Sequence, residues 1–159
     1  VFRTDAPELL PDDPFVHQMA SQTVTLAELL TKHTPGWEAP RLPEGTRVLA
    51  QVHCHQHAVL EWDADQAVLR DCGAEVERIN SGCCGLAGNF GFEPGHLDVS
   101  VGCAERVMLP AIRAADPGTI VLADGFSCRT QIEQLDSGGR SALHLAEVLA
   151  AGLPGRPAR

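Results

Sequence analysis

The most concentrated chemistry in this 159-residue sequence, which holds six cysteines and seven histidines, is the run SGCCGLAGNFGF at residues 81–92. Two adjacent thiols, Cys83 and Cys84, stand among glycines at every third position: Gly82, Gly85, Gly88 and Gly91. Glycine lets backbone amides come close to a bound group, and successive N–H groups form a concave nest that favours an anion. Gly82, Gly85 and Gly88 are therefore candidate cofactor-contacting positions. Cys54 lies in HCHQH, residues 53–57, and Cys128 in GFSC, residues 125–128. The spacing is C-x28-CC-x43-C.

Thiolates at such spacing are ligands for zinc or for iron–sulfur clusters. Zinc takes four donors around one point, with Zn–S about 2.3 Å, and is usually supplied by spaced pairs such as CxxC. Adjacent residues of an extended chain point to opposite sides, so Cys83 and Cys84 grip a single ion awkwardly. A polynuclear cluster presents several irons, which neighbouring cysteines can reach separately. Cys54, Cys83, Cys84 and Cys128 are the candidate metal ligands. His53, His55 and His57 flank Cys54, and imidazole serves as ligand or proton carrier. His55 and His57 join the candidate ligands; the plainer reading of the three is a polar loop rim. Ser127 is placed to cap a helix, which would put Cys128 in the first turn, where the helix dipole favours a thiolate. Asp124 and Arg129 bracket Cys128 and could steer a partner or pair with each other. His96 reads as a helix-start residue, and Cys72 and Cys103 as packing residues.

The elements that must position these groups alternate between strand and helix. Residues 47–53, 74–79 and 119–123 are expected strands. Helices are expected over 59–71, with Gly73 as its stop, from Pro94 through Ala115 with a kink at Pro110, over 127–135, and over 142–150. The alternation predicts an α/β fold, a small parallel sheet of three to four strands with flanking helices. In such sheets, sites form at the carboxyl ends of the strands. Cys54 follows the first strand, Cys83 and Cys84 the second, and Cys128 the third, so the topology predicts one metal site at one sheet edge.

Upstream, Thr25-Leu26-Ala27-Glu28 is a capping box that starts a short helix to about His33. Pro7, Pro11 and Pro14 suggest that the first 20 residues are irregular. The expected organisation is a lead-in with a short helix over 1–45, a cysteine-rich domain over 46–150 and a disordered tail over 151–159.

Bulk properties narrow the partners. The composition, 44% hydrophobic and 21% charged, is that of a folded globular chain. A net charge of −9 argues against nucleic acid, whose phosphates would repel it. No apolar run reaches the roughly 20 residues that span a bilayer. The first residues, VFRTDAPELLPDDP, do not read as a signal peptide. Beginning at Val1, the chain fits an excerpt of something longer. Six cysteines without secretory context favour metal or redox chemistry over a disulfide framework. The expected compartment is cytoplasmic, or peripheral at a membrane through partners.

HCHQH, SGCCGLAGNFGF and DGFSCRTQI together resemble the cysteine-rich CCG domain. That domain occurs in heterodisulfide reductase, in iron–sulfur subunits of glycolate oxidase and anaerobic glycerol-3-phosphate dehydrogenase, and at the C-terminus of large FAD-linked oxidases. GCCGLAGNFG and GFSCRTQ look most like the last group, of the D-lactate or D-2-hydroxyacid dehydrogenase kind. The resemblance covers about residues 46–150. It implies an electron-transfer module, with Cys54, Cys83, Cys84 and Cys128 at ligand positions. It also implies an FAD-binding domain or subunit and other iron–sulfur modules as partners, with an acceptor downstream. The family pattern usually ends in CxxC; here Gly125 stands where its first cysteine would be. Four remaining cysteines suit a [4Fe–4S] cluster, or a zinc ion with a histidine helping. The zinc alternative makes the chain a structural or docking domain without electron traffic. A third reading, a metal-dependent hydrolase using HCHQH with Asp124, needs an open coordination position that glycine-shielded thiolates do not suit. FAD is expected only in other parts of the parent protein, so the chain is not expected to be catalytic alone.

Overall fold

A computed structural model describes residues 1–154. The chain divides into two compact units, residues 1–37 and 38–159.

The first unit is more helical than its prolines suggest. It holds α1 (Asp5–Leu9), α2 (Pro14–Gln22) and α3 (Leu26–Lys32). Pro14 is the first residue of α2, where its missing N–H would be unpaired in any case, and Asp13 caps that helix by accepting from Phe15 N–H. Helix α3 starts at the capping box expected from sequence. The Thr25 hydroxyl accepts from Glu28 N–H at 3.2 Å, and the Glu28 carboxylate from Thr25 N–H at 2.9 Å. Glu28 also meets Arg3 at 3.1 Å. Burial by itself raises the Glu28 carboxyl, but these partners outweigh it and the net shift is downward.

The second unit is α/β. Its sheet has three parallel strands, β1 (Arg47–Ala50), β2 (Glu75–Arg78) and β3 (Ile120–Leu122), in the order β2-β1-β3. Leu143 adds one further parallel bridge, to Leu122. Val48, Leu49 and Ala50 are buried because β1 is central, whereas β2 is a charged edge. Chain order and spatial order diverge at β1, whose neighbours are the next strand on one side and the last on the other. That is a topological switch point, where the carboxyl ends open a crevice.

Helices α4 (Asp63–Asp71), α5 (Leu97–Arg106), α6 (Met108–Ala114), α7 (Phe126–Leu135) and α8 (Leu145–Ala151) flank the sheet. The core joins Leu49, Val121 and Ala123 of the sheet region to Met108, Leu109 and Ile112 of α6 and Ile132 of α7.

Three expectations about the helices are corrected. The segment after Cys54 is one turn of π-helix, Gln56–Leu60, ended by Glu61 at φ 63°, and α4 begins only at Asp63. The helix from Pro94 starts at Leu97 and breaks at Val107 rather than bending at Pro110. Pro110 cannot bond the carbonyl four residues back, that of Arg106, and its ring clashes there. The helix therefore ends at Arg106 and restarts with Pro110 in a new first turn. The last helix starts at Leu145 on a second capping box, His144 with Glu147, instead of at Ala142. Of the expected tail, residues 155–159 lie outside the described residues. No helix among the described residues is long and apolar enough to cross a membrane.

Candidate metal centre

Each candidate cysteine leaves the sheet at its carboxyl edge. Cys54 lies four residues beyond β1, Cys83 and Cys84 five and six beyond β2, and Cys128 is the third residue of α7, the helix after β3. All four are free thiols; Cys84 and Cys128 are buried, Cys83 is half-buried and Cys54 is exposed.

The sulfurs form a row of contacts. Cys54 meets Cys83, Cys83 meets Cys84, and Cys84 meets Cys128. Backbone amides reach into this row from the glycine-rich loop. Gly85 N–H donates to Cys83 Sγ at 3.3 Å, while Leu86 and Ala87 N–H donate to the Cys84 sulfur. Cys84 is thus held as a thiolate, its pKa lowered to about 6. The S–H of Cys128 is the main cause, assisted by the two amides and Cys83 and opposed by burial. Cys128 moves far the other way, because its proton is held on Cys84, its burial disfavours charge, and the neighbouring Cys84 thiolate opposes a second negative charge. Cys83 is raised by burial, with the Gly85 N–H partly offsetting it.

The loop owes its shape to Gly85. Its φ is +96°, and a Cβ there would run into the Ser100 backbone carbonyl and lie 3.0 Å from Cys103 Cβ. Only glycine permits that approach of the loop to α5. Gly88, at φ +71°, donates its N–H to the Ser127 hydroxyl at 3.3 Å, tying the loop to the start of α7. Gly82 is exposed, and a Cβ on it would lie 3.2 Å from Arg106 Nη2. Ser127 is therefore not the helix cap; α7 begins at Phe126 with Gly125 at the cap position. Cys128 nevertheless falls in the first turn, near the positive end of the helix dipole.

The histidines separate. His55 and His57 are exposed, and His57 Nδ1 lies 3.3 Å from Arg78 Nη1 at the edge of the sheet. His53 is half-buried, with burial as the main cause of its lowered pKa and the charge of His55 as the second. Its ring occupies the space that a Cβ on Gly125 would fill. His96 immediately precedes α5 without a side-chain capping bond, and stacks on Phe90 with ring centroids 4.2 Å apart. Asp124 and Arg129 do not pair. Asp124 accepts from Leu145 N–H at 2.6 Å, and Arg129 meets Glu147 at 3.4 Å. Cys72 is buried at the end of α4, and Cys103 is exposed on α5.

Two polar supports have no clear signal in the sequence. Gln51, almost fully buried at the end of β1, accepts from the Ser81 hydroxyl at 2.5 Å and so holds the first residue of the loop. Gln131 of α7 donates to Ser100 O and Oγ at 3.2 and 2.9 Å, beneath the point where Gly85 meets α5. For Gln51 the only local hint is its place within the otherwise apolar run Val48–Val52.

Among the described residues, no three His, Cys, Asp or Glu side chains are gathered as a group able to hold a metal ion. A row of thiols differs from a tetrahedral cage about one point, which structural zinc requires. A four-iron cluster takes one thiolate per iron and does not ask the sulfurs to converge on one atom.

Two known proteins are similar to part of the chain. The D-2-hydroxyglutarate dehydrogenase of Pantoea ananatis is 36% identical over 92 residues, covering 55% of this chain and 9% of that protein. Its namesake from Escherichia coli is 33% identical over 89 residues, with the same coverage of 55% and 9%. The chain thus spans a small part of the length of these relatives. No family model matches it, and no solved structure does.

Proposed function

We propose that residues 46–150 are an iron–sulfur electron-transfer module of a larger FAD-linked oxidoreductase that oxidises a 2-hydroxy acid. The observation that carries this reading is the row Cys54–Cys83–Cys84–Cys128, supplied from the carboxyl ends of three strands and met by amide donors. Four soft sulfur donors, one already a thiolate near neutral pH, suit a [4Fe–4S] cluster, and N–H groups aimed at sulfur suit its negative charge. When bound, such a cluster takes up and releases electrons one at a time.

The residues of the chain supply the rest. Cys84 and Cys128 belong to the hydrophobic core and anchor the centre on its dry side. Cys54 lies on the exposed side, where a partner can approach. Phe126, two residues before Cys128, is 82% exposed and offers that partner an apolar contact. The names of the two relatives support hydroxy-acid oxidation by the parent protein. The flavin, the hydroxy-acid site, further iron–sulfur modules and the electron acceptor belong to the parts of that protein outside this chain.

Anaerobic reconstitution with iron and sulfide, followed by metal analysis and an absorption spectrum, tests the proposal. About four irons per chain and a broad band at about 400 nm that bleaches with dithionite are expected. One zinc and no iron after the same treatment would replace the electron-transfer module with a zinc-stabilised docking domain.

A further inference from the structure

We infer that Cys54 and Cys83 are a peroxide-sensitive dithiol, which closes to a disulfide in the metal-free chain and reopens under a thiol reductant. The pairing stands on the geometry of two neighbouring loops. Its consequence, the loss of two of the four thiols offered to a metal, rests on the iron–sulfur reading above.

The two loops leave adjacent parallel strands, with Ala50 of β1 level with Arg78 of β2. Hydrogen bonds hold them side by side as they run on. Ile79 N–H donates to Ala50 O at 2.9 Å, and the Ser81 hydroxyl to Gln51 Oε1 at 2.5 Å. Further along the first loop, His57 Nδ1 lies 3.3 Å from Arg78 Nη1. Cys54 stands between Gln51 and His57, and Cys83 two residues beyond Ser81. Between these ties the two sulfurs meet. Gly85 N–H holds the Cys83 sulfur in place at 3.3 Å.

Exposure selects this pair from the row. Cys54 is exposed and Cys83 half-buried, whereas Cys84 and Cys128 are 3% and 1% exposed and shielded from an oxidant in solvent. A bond between the adjacent Cys83 and Cys84 would close a small ring across a planar peptide and strain it. Peroxide converts an accessible thiolate to a sulfenic acid, which condenses with a neighbouring thiol. Here the Cys54 sulfur attacks hydrogen peroxide, the O–O bond breaks, and water leaves. The Cys83 sulfur then attacks the Cys54 sulfenic acid; the S–O bond breaks, the S–S bond forms, and a second water leaves with the Cys83 proton. In sum the two thiols give up two electrons and two protons, and one peroxide becomes two waters.

The test treats the reduced, metal-free chain with equimolar hydrogen peroxide, alkylates the remaining thiols and digests with trypsin. Cleavage at arginine puts Cys54 in peptide 48–70, Cys83 and Cys84 in 79–106, and Cys128 in 114–129. Mass spectrometry is expected to find 48–70 joined to 79–106 through Cys83, with the link lost on adding dithiothreitol. Cys54→Ser and Cys83→Ser lose the link, and Cys84→Ser keeps it. The same treatment in urea spreads the pairing over other cysteines, so a native pattern equal to the unfolded one overturns the proposal. A link through Cys84, Cys103 or Cys128, or a sulfinic acid on an unpaired Cys54, overturns it too. Cobalt(II) then probes the site through its thiolate absorption in the near ultraviolet. With two of four thiols consumed, the oxidised chain binds at least about twofold less cobalt than the reduced one. Equal cobalt binding overturns the effect on the site and leaves the disulfide. Failure of the reduced chain to take up iron overturns the iron–sulfur reading and likewise leaves the disulfide.

Discussion

Cys128 donates its S–H to the sulfur of Cys84, and the two buried thiols share one proton. The contact brings together residues 44 positions apart in sequence, one from the loop after β2 and one from the first turn of α7. It splits two chemically identical groups into a thiolate and a thiol that resists ionisation. An electrophilic metal finds one ligand already deprotonated, and the proton it must displace resides on the other.

A pH dependence follows for the reduced, metal-free chain. The Cys84 pKa is lowered from 9.0 to about 6, so its contribution to stability is fully present above 9 and is lost as pH falls through 6. Cys128 is raised above 9.0, so above pH 9 the unfolded chain releases a proton that the folded chain retains, and stability falls. Urea midpoints from pH 5 to 10 should therefore rise from 6 to 9 and decline beyond. Cys84→Ser should flatten the rising limb and remove the thiolate ultraviolet absorbance that titrates near pH 6.

Ligand cysteines and packing cysteines should part in a reconstitution series. Cys83→Ser and Cys84→Ser are expected to abolish iron retention. Cys72→Ala removes a buried thiol at the end of α4 and should lower stability, yet folded protein should keep wild-type iron per chain. Equal iron loss in Cys72→Ala would show that the four-cysteine assignment is wrong.

The glycines of the loop should differ in cost. Gly85→Ala faces both a left-handed backbone and the Ser100 carbonyl, and should cost well above the roughly 1–2 kcal/mol that backbone conformation alone imposes. Gly88→Ala has open space and should cost about that 1–2 kcal/mol. Paired urea titrations of the two variants measure the difference.

In the first unit, Thr25→Ala should lose about 1 kcal/mol of helix stability by removing the cap. The Glu28 carboxyl is lowered from 4.5, so its stabilising share is present above pH 4.5 and disappears as pH falls through the lower folded value. Hydrogen exchange of α3 amides should accelerate in the variant at neutral pH, and in wild type only in acid.

Much of the fold is legible in the sequence because its signals are local. Apolar runs mark β1 and β3, alternation of apolar and charged residues marks β2, and the Thr25–Glu28 box marks α3 to within a residue. Expectation and structure part where a local signal has a nonlocal effect. Pro110 predicts a kink at its own position, but its clash falls one turn upstream and ends α5 at Arg106. The prolines of the first 20 residues suggest breakers, although Pro14 stands where a helix accepts one. His144 gives no obvious sign of a cap because its type is unusual there; the Glu three residues on is the available clue.

By itself the sequence determined which thiols the sheet delivers to its carboxyl edge, because strand–helix alternation sets the side of the sheet on which each loop emerges. Only the tertiary structure decided which sulfur is the thiolate, which histidine is tucked in and which glycine is obligatory. Those outcomes depend on approaches between segments far apart in the chain: Cys84 to Cys128, His53 to Gly125, Gly85 to Ser100. Burial and contact, rather than residue type, distinguish Cys84 from Cys128, and neither exists until the chain has packed.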